Sequence, residues 1–184
     1  VIPVYNEYPY TFHCLKSLLD HSQDESFEVI VVDDCSSDKT QEMLVGVSGI
    51  RVVKNTENLG FIKSCNAGAD AARGEYLVIL NNDTEVREGW LSAMRQTFND
   101  FPDAGLVGAR LVFADGSLQE AGGIVWRDGS AWNYGRGGDP NNPDYAYCRQ
   151  ADYCSGACLM IPLKDFQELG GFDIANIPVG SSAK

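Results

Sequence analysis

Short apolar runs alternate with amphipathic stretches along the first 113 residues. The apolar runs predict five β-strands, over residues 1–5, 27–32, 50–54, 76–80 and 105–112. The stretches between them predict four helices, over residues 10–19, from the helix-capping residues 35–38 to about 45, 61–72 and 90–98. Because strands and helices alternate at this spacing, the sequence predicts an α/β fold: a Rossmann-like, mainly parallel sheet with helices on both faces.

The pattern changes after residue 113. Residues 114–149 are rich in glycine and asparagine and predict a hairpin-and-loop excursion from the same domain. Residues 152–162 return to a strand-like apolar run, and residues 163–169 predict a short helix that Gly170 and Gly171 end. At this length we expect one domain spanning residues 1–184.

Polar turns follow the first, second and fourth predicted strands. Their sequences are YNE, DDCSSD and NNDT. Because the carboxyl ends of parallel strands meet at one edge of a sheet, these turns are expected to open on one ligand crevice. Asp83 is the candidate metal ligand there, since Mg²⁺ and Mn²⁺ prefer oxygen ligands and accept a single carboxylate when phosphates and waters complete the shell. The alternative for NDT is an Asx turn leading into the next helix.

The acidic pair after the second strand has two interpretations as well. Asp34 is placed where a carboxylate can accept a hydrogen bond from the imide N–H of a uracil or thymine ring. The alternative is that one of the pair caps the next helix, and for Asp33 capping is as good an account as ligand binding.

The charge balance limits the classes of partner. A net charge of −12, from 26 acidic and 14 basic side chains, disfavours nucleic acid. No apolar run reaches the ~18–20 residues of a transmembrane helix, and the first residues do not resemble a signal peptide. We therefore expect a cytoplasmic protein, with peripheral association at the inner face of the membrane as the alternative. An acidic protein that binds a diphosphate also needs a local cation to offset its own field.

Taken together, the strings VIPVYN, VVDDCSSDKT, NLGFIKSCNAGADAARGEYLVILNNDT, DYCSGACLMIP and LGGFD resemble the family 2 inverting glycosyltransferases, which have the GT-A fold. The resemblance runs from Val1 to Asp173 in matching order and spacing. FADGSLQEAGG with GRGGDPNNPDY resembles the rhamnosyltransferase-like branch of polysaccharide assembly. The resemblance implies a donor-binding half over residues 1–113 and a partial acceptor-side half over residues 114–184.

The resemblance also implies roles for individual residues. Asp83 would hold Mg²⁺ or Mn²⁺, and Asn82, where many members carry a second acid, would contact the ribose or support the metal site. The donor would be a UDP- or dTDP-linked sugar, and the acceptor a glycan or a lipid-linked molecule. The remaining nucleotide-sugar contacts would be Pro3, Val4, Tyr5, Asn6, Glu7, Asp34, Lys63 and Asn66. For Lys63, a solvated helix lysine is the competing interpretation.

The general base that an inverting transfer needs has no clear counterpart. In the family it is an acid beyond a GGFD motif, but here residues 174–184, IANIPVGSSAK, contain no acid. Asp152 and Asp173 are weak candidates, and we expect a chain truncated at both ends. Two alternatives stay open: a non-catalytic nucleotide-sugar-binding module, and a receiver-like signalling domain, which would require a lysine after a later strand.

Overall fold

A computed structural model describes residues 1–22 and 25–175. Within them, the α-helices are α1 (Tyr8–His21), α2 (Thr40–Val45), α3 (Phe61–Ala71), α4 (Trp90–Asp100) and α5 (Leu163–Glu168). The strands are β1 (Ile2–Val4), β2 (Val29–Asp33), β3 (Ile50–Lys54), β4 (Tyr76–Leu80), β5 (Val107–Gly108), β6 (Leu111–Val112), β7 (Leu118–Glu120), β8 (Gly123–Val125), β9 (Ala131–Asn133) and β10 (Cys158–Pro162). A turn of 3₁₀ helix spans Pro143–Tyr145.

The central sheet has the strand order β3-β2-β1-β4-β10-β5. Strands β1, β2 and β3 pair in parallel, and β10 pairs antiparallel with both β4 and β5. Two backbone hydrogen bonds join the halves: Val1 N donates to Val78 O at 2.7 Å, and Leu80 N donates to Val1 O at 3.0 Å. In parallel strands, the N–H and the C=O of one residue bond to two residues that lie two positions apart on the neighbouring strand, as Val1 does here. The predicted mainly parallel sheet is confirmed, with β10 as its reversed strand.

Both faces of the sheet are buried under helices. Leu77 and Ile79 of β4 pack in one core cluster with residues of α3 and α5, whereas Leu80 packs in a second cluster with residues of α1, α2 and α4. Because side chains alternate along a strand, a continuous apolar run such as YLVIL serves both cores. Each of these buried Leu or Ile side chains contributes about 1.5–3 kcal/mol relative to exposure.

The prediction of one strand over residues 105–112 is wrong. The chain divides there into β5, which pairs with β10, and β6, which turns away to pair with β7 through an irregular register. The backbone passes close to Cys154 at the end of β5, since a Cβ added at Gly108 would lie 2.6 Å from the side chain of Cys154. The predicted run over 152–162 is also strand only from Cys158 onward.

Two hairpin turns in the second half share one design. In residues 113–117, Phe113 N donates to Ser117 O at 2.8 Å and Gly116 N to Phe113 O at 2.9 Å. In residues 126–130, Trp126 N donates to Ser130 O and Gly129 N to Trp126 O at the same two distances. Each turn contains Asp-Gly-Ser with the glycine in the left-handed region. The predicted hairpin-and-loop excursion therefore consists of two small antiparallel pairs, β6–β7 and β8–β9.

A cavity of about 410 Å³ lies at the amino ends of β1, β2 and β4. Its lining includes Val1, Val29 and Tyr76, so it opens at the edge of the sheet opposite to the polar turns. This cavity therefore does not belong to the carboxyl edge, and a functional site at that edge would be formed by the loops there. Across residues 1–22 and 25–175, none of the helices has the length and apolar character needed to cross a bilayer.

Candidate functional site

The loops after β1 and β2 are tied together through Asn6. Its backbone N–H donates to Ser36 Oγ at 2.8 Å, while its Oδ1 accepts from the N–H groups of Ser37 at 2.8 Å and Asp38 at 3.3 Å. The backbone of Asn6, Glu7 and Cys35 has φ between 58° and 64°, a conformation that costs energy for residues other than glycine. This strained pair of loops is held in place by its own hydrogen bonds.

Among the predicted contacts from the first strand, three reach this edge and two do not. Pro3 and Val4 are buried in the sheet, so they contribute through the main chain, where Val4 O accepts from Asp34 N at 2.8 Å. Tyr5 is 51% exposed, Glu7 is exposed and Asn6 is half-buried. The side chains available to a ligand are therefore those of residues 5–7.

Asp34 is 4% exposed and organises the loop after β3. Its Oδ1 accepts from Asn55 Nδ2 at 2.7 Å and Leu59 N at 2.8 Å, and its Oδ2 accepts from Gly60 N at 2.8 Å. A carboxylate has about four lone-pair sites, so these three bonds leave one on Oδ2. Asp33 points to a different use, because its Oδ1 accepts from Ser36 N at 2.9 Å inside the turn.

The turn after β4 lies at the same edge of the sheet and contains the candidate metal ligand. Asn81 N donates to Ala157 O at 2.9 Å, and Asn82 Nδ2 donates to Thr11 Oγ1 of α1 at 3.0 Å. Asp83 is exposed, and no hydrogen bond to its carboxylate is found among the described residues. The main-chain N–H of Asn81 and the side-chain amide of Asn82 thus fix the turn, and the carboxylate of Asp83 remains available to a ligand.

The donor set at Asp83 fits one hard cation shared with a phosphate. No group of three His, Cys, Asp or Glu side chains converges as a metal cage within residues 1–22 and 25–175. Magnesium is commonly held by one or two carboxylates together with substrate phosphates and waters, and a single free carboxylate meets that requirement. Nearby Cys14 does not compete, since burial raises the pKa of its thiol to about 12 and keeps it protonated.

The two predicted residues of α3 differ in their surroundings. Lys63 is exposed. Asn66 is half-buried and makes a reciprocal pair with a residue 106 positions away: its Nδ2 donates to Phe172 O and its Oδ1 accepts from Phe172 N, both at 2.9 Å. Its amide therefore holds the GGFD segment against α3, a contact the sequence analysis did not predict. Gly171 is close enough that an added Cβ would lie 2.8 Å from Asn66 Oδ1.

The two weak candidates for a general base both have main-chain contacts. Asp152 is exposed, and its Oδ2 accepts from Val125 N at 2.9 Å, which attaches β8 to the segment before β10. Asp173 is exposed, and its Oδ1 accepts from Ala175 N at 2.8 Å. The structure does not bring these two acids together with Asp83 in one cluster of described metal-ligating groups.

Sequence reasoning missed several residues that support the site. Thr11, which is fully buried, receives Asn82, and Asn55 binds both Asp34 and Ser64. Glu120 is 2% exposed and accepts from Ser155 N at 3.1 Å; burial raises the pKa of this carboxyl, against the opposing effects of Ser155 N–H and Arg136. Asn55 follows a strand at the same sheet edge, so its position was a readable signal.

Comparison with known proteins identifies the family. A family model described as glycosyl transferase family 2 matches residues 1–169. The chain belongs to glycosyl transferase family 2. The membership agrees with a parallel sheet whose candidate ligand loops lie after β1, β2 and β4, and it confirms the predicted family. The rhamnosyltransferase-like branch stays a prediction.

Two curated relatives of this family 2 domain are much longer than it is. The uncharacterized protein y4gI of Sinorhizobium fredii is 30% identical over 179 residues, which cover 91% of this chain and 20% of that protein. The O-antigen biosynthesis protein RfbC of Myxococcus xanthus is 32% identical over 168 residues, 85% of this chain and 13% of that protein. The chain thus spans a fifth or less of the length of these relatives.

A solved structure supports the same fold for the family 2 domain. The mannosyltransferase PcManGT from Pyrobaculum calidifontis, in complex with GDP-Man and Mn²⁺, superposes with a TM-score of 0.65 at 20% identity. The match covers 94% of this chain and 46% of that one. At this identity the likeness concerns the fold, which is the predicted GT-A fold.

Proposed function

We propose that this chain is the donor-binding domain of a metal-dependent, inverting glycosyltransferase of polysaccharide assembly. The observation that carries the proposal is Asp83: an exposed carboxylate without a hydrogen bond from the described residues, in a turn that Asn81 N and Asn82 Nδ2 fix through Ala157 and Thr11. Family membership supports sugar transfer as the reaction of the whole protein. The acceptor we propose is a glycan or a lipid-linked molecule, met in the cytoplasm or at the inner face of the membrane.

The donor is proposed to be a UDP- or dTDP-linked sugar lying across the carboxyl edge. The pyrimidine imide N–H would donate to the remaining lone pair of Asp34 Oδ2, and Tyr5, Asn6 and Glu7 would flank the base and ribose, with Pro3 and Val4 behind them. The GDP-Man bound by PcManGT supports a nucleotide-sugar donor as a class. A guanine donor is the alternative that the base comparison below tests.

The diphosphate would meet Asp83 through one divalent ion, Mg²⁺ or Mn²⁺, which supplies the positive charge that neutralises the leaving group. This chain has a net charge of −12, so the ion offsets an otherwise unfavourable field. One unit-charge pair at about 4 Å and an effective dielectric near 20 is worth ~4 kcal/mol. We propose a contact with the ribose or the metal site for Asn82, and solvent-screened attraction to the phosphates for Lys63.

The residues of this chain would position the donor for transfer more than they would supply the general base. Asn66 is proposed to act at one remove, by holding Phe172 and hence the GGFD segment beside the donor. Asp152 and Asp173 stay weak candidates for the general base, since each already accepts a main-chain hydrogen bond. Binding of the donor should therefore be strong in this chain and transfer poor.

Calorimetric titration of the 184-residue chain with UDP, dTDP and GDP, each with and without Mn²⁺ or Mg²⁺, tests the proposal. We expect metal-dependent binding that Asp83→Ala weakens by about 2 kcal/mol or more, roughly thirtyfold, because the ion loses its protein ligand.

Glu85→Ala is the matched control, since Glu85 is an exposed acid two residues away. Equal losses in both variants would reduce the effect to general charge. Binding that needs no metal and survives Asp83→Ala would refute the metal role.

A non-catalytic nucleotide-sugar-binding module is the second candidate. The observation favouring it is that both acids weighed as bases serve main-chain contacts. Slow hydrolysis of a sugar nucleotide by the wild-type chain, lost in Asp83→Ala, would decide for an enzyme; binding with no hydrolysis and no transfer by the full-length protein would decide for the module.

A further inference from the structure

Trp126 and Trp132 lie on one face of the β8–β9 hairpin. Ile124 faces Trp132 in the register, and Trp126 N donates to Ser130 O at 2.8 Å, which continues the ladder. Residues that face each other, and those two positions along, share one side of a two-stranded sheet. The two tryptophans are therefore diagonal neighbours on adjacent strands, positions whose backbones are typically about 7–8 Å apart. They are 52% and 65% exposed.

The other face of this hairpin is covered by the protein at its Gly123 and Asn133 end, whereas Val125 and Ala131, nearer the turn, are exposed on it. A Cβ added at Gly123 would lie 2.0 Å from the ring of Tyr153, and Tyr153 Oη donates to Asn133 Oδ1 at 2.8 Å. Asp152 Oδ2 also accepts from Val125 N at 2.9 Å. The hairpin is thus fixed from behind, and the tryptophan face points away from its support.

The turn itself does not require an exposed aromatic ring. Phe113 occupies the same position in the first Asp-Gly-Ser turn as Trp126 does in the second. The ring of Phe113 is half-buried, with the guanidinium of Arg136 at 5.1 Å from its centroid. Tyr134 is likewise used internally, between Tyr145 at 5.2 Å and Arg149 at 4.1 Å. Of these four rings, those of the two tryptophans are exposed and those of Phe113 and Tyr134 are half-buried.

A groove of about 810 Å³ adjoins Trp132, and its lining includes Arg136 and Tyr145. Asn133 also lines it, but the side chain of Asn133 lies on the Tyr153 side of the hairpin, where its Oδ1 accepts from Tyr153 Oη. A pyranose ring has an apolar face of C–H groups that packs on an aromatic ring and hydroxyls that hydrogen-bond to groups such as a guanidinium. Stacking surface and hydrogen-bonding groove therefore stand side by side.

We infer that the tryptophan face of residues 123–133 binds a neutral oligosaccharide, as the acceptor side of the proposed transfer. Charge selects the neutral class, since the net charge of −12 repels anionic lipid surfaces and acidic polymers. The inference rests on the proposed function for its role, but its binding site is separate from Asp83.

The fold connects this face to the donor edge. The hairpin is bonded to residues 152 and 153, and the same segment continues to Ala157, whose carbonyl accepts from Asn81 N at 2.9 Å beside Asp83. Ser155 within it is held by Glu120. A glycan on the tryptophan face would therefore be positioned by the segment that also fixes the donor turn.

The test is calorimetric titration of the 184-residue chain and its variants with neutral hexasaccharides of glucose, mannose and rhamnose, with tryptophan fluorescence of the wild type as a second readout. The chain has three tryptophans, and Trp90 Nε1 is bonded to Ser22 Oγ at 2.8 Å, so the two exposed rings should dominate any response. We expect saturable binding of at least one hexasaccharide, weakened about tenfold or more in Trp126→Ala/Trp132→Ala and unchanged in Trp90→Phe.

Three controls make the outcomes separable. Circular dichroism checks that the double variant folds, which its exposed positions favour. UDP titration with Mn²⁺ should be unchanged in the double variant, and absence of UDP binding in the wild type would count against the donor site alone. No binding of any hexasaccharide, equal binding by the double variant, or tryptophan-dependent binding to phosphatidylglycerol vesicles instead would overturn the inference.

Discussion

The carboxyl edge of the sheet and the β8–β9 hairpin use their polar groups in opposite ways. At the edge, Asp34, Asn6 and Asn82 bond to residues of other elements, so that the loops hold one another. In the hairpin turn, Asp128 Oδ1 accepts from the N–H and hydroxyl of Ser130, only two residues away. The loops of the first region are thus fixed by long-range contacts, whereas the turn of the hairpin is fixed by local ones.

This difference separates two kinds of recognition. Long-range hydrogen bonds pre-organise a site, so that little of the binding free energy is used to order its loops. Such a site suits a small charged ligand. A hairpin supported on one face offers a shallow surface, which suits a longer chain held by several weak contacts. The edge should therefore unfold only with the whole domain, whereas the hairpin should open locally.

Removal of the Asp34 carboxylate should break the first region and gives the largest expected effect. Asp34→Ala leaves the N–H groups of Leu59 and Gly60 without their acceptor in a buried loop. We expect the free energy of unfolding to fall by about 3 kcal/mol, because bonds to a charged group and buried donors are both lost. Urea denaturation followed by circular dichroism measures it.

Asp128→Ala is the control from the second region. Asp128 is exposed, and among the described residues its carboxylate bonds only to Ser130 in the second Asp-Gly-Ser turn. Its loss should leave the global transition in place. A similar shift in both variants would show that the long-range and local networks do not differ.

The Asn66 pair with Phe172 sharpens the comparison, since it extends long-range bonding to the GGFD segment. Asn66→Ala removes both 2.9 Å bonds, and we expect a loss of about 2 kcal/mol in the free energy of unfolding. Hydrogen exchange at the Phe172 amide should accelerate beyond that global change. Asn99→Ala is the control, because exposed Asn99 bonds only to Gln96 of its own helix among the described residues. Slow exchange at the Phe172 amide in Asn66→Ala would contradict the role of Asn66 in holding the GGFD segment.

The sequence predicted the first region well because its signals are local. Apolar runs such as YLVIL and the polar residues that follow them mark strand ends, and parallel strands bring those ends together without further information. The use of each side chain was not readable in the same way. That Asp34 bonds to Leu59 and Gly60, and that Asn66 bonds to Phe172, depends on contacts 25 to 106 residues apart.

The second half was less predictable for a physical reason. β5 and β6 have two residues each, too few for a period of two to distinguish them from one longer strand. β10 enters the sheet antiparallel between β4 and β5, and nothing in CLMIP states its direction. Exposure of Trp126 and Trp132 also depends on Tyr153 covering the opposite face.

Glu120 lies between the two regions, since it holds Ser155 on the segment that joins them, and its pH response is the smallest expected effect. Burial raises the pKa of this carboxyl above the 4.5 of an exposed glutamate. A raised folded-state pKa means that the folded protein binds the proton more tightly than the unfolded chain does. Its contribution to stability is therefore fully present below pH 4.5 and is lost as the pH rises through the folded-state value.

Glu120→Gln keeps an oxygen for Ser155 N–H and removes the titration. We expect the wild type to lose stability relative to this variant as the pH rises from 4.5, measured by urea denaturation across the range from acid to neutral pH. Glu88→Gln, at an exposed acid, corrects for the removal of one charge from an acidic chain. A wild-type curve parallel to that of Glu120→Gln would mean that the pKa of Glu120 is the same in the folded and unfolded states, and that the joint between the regions does not sense pH.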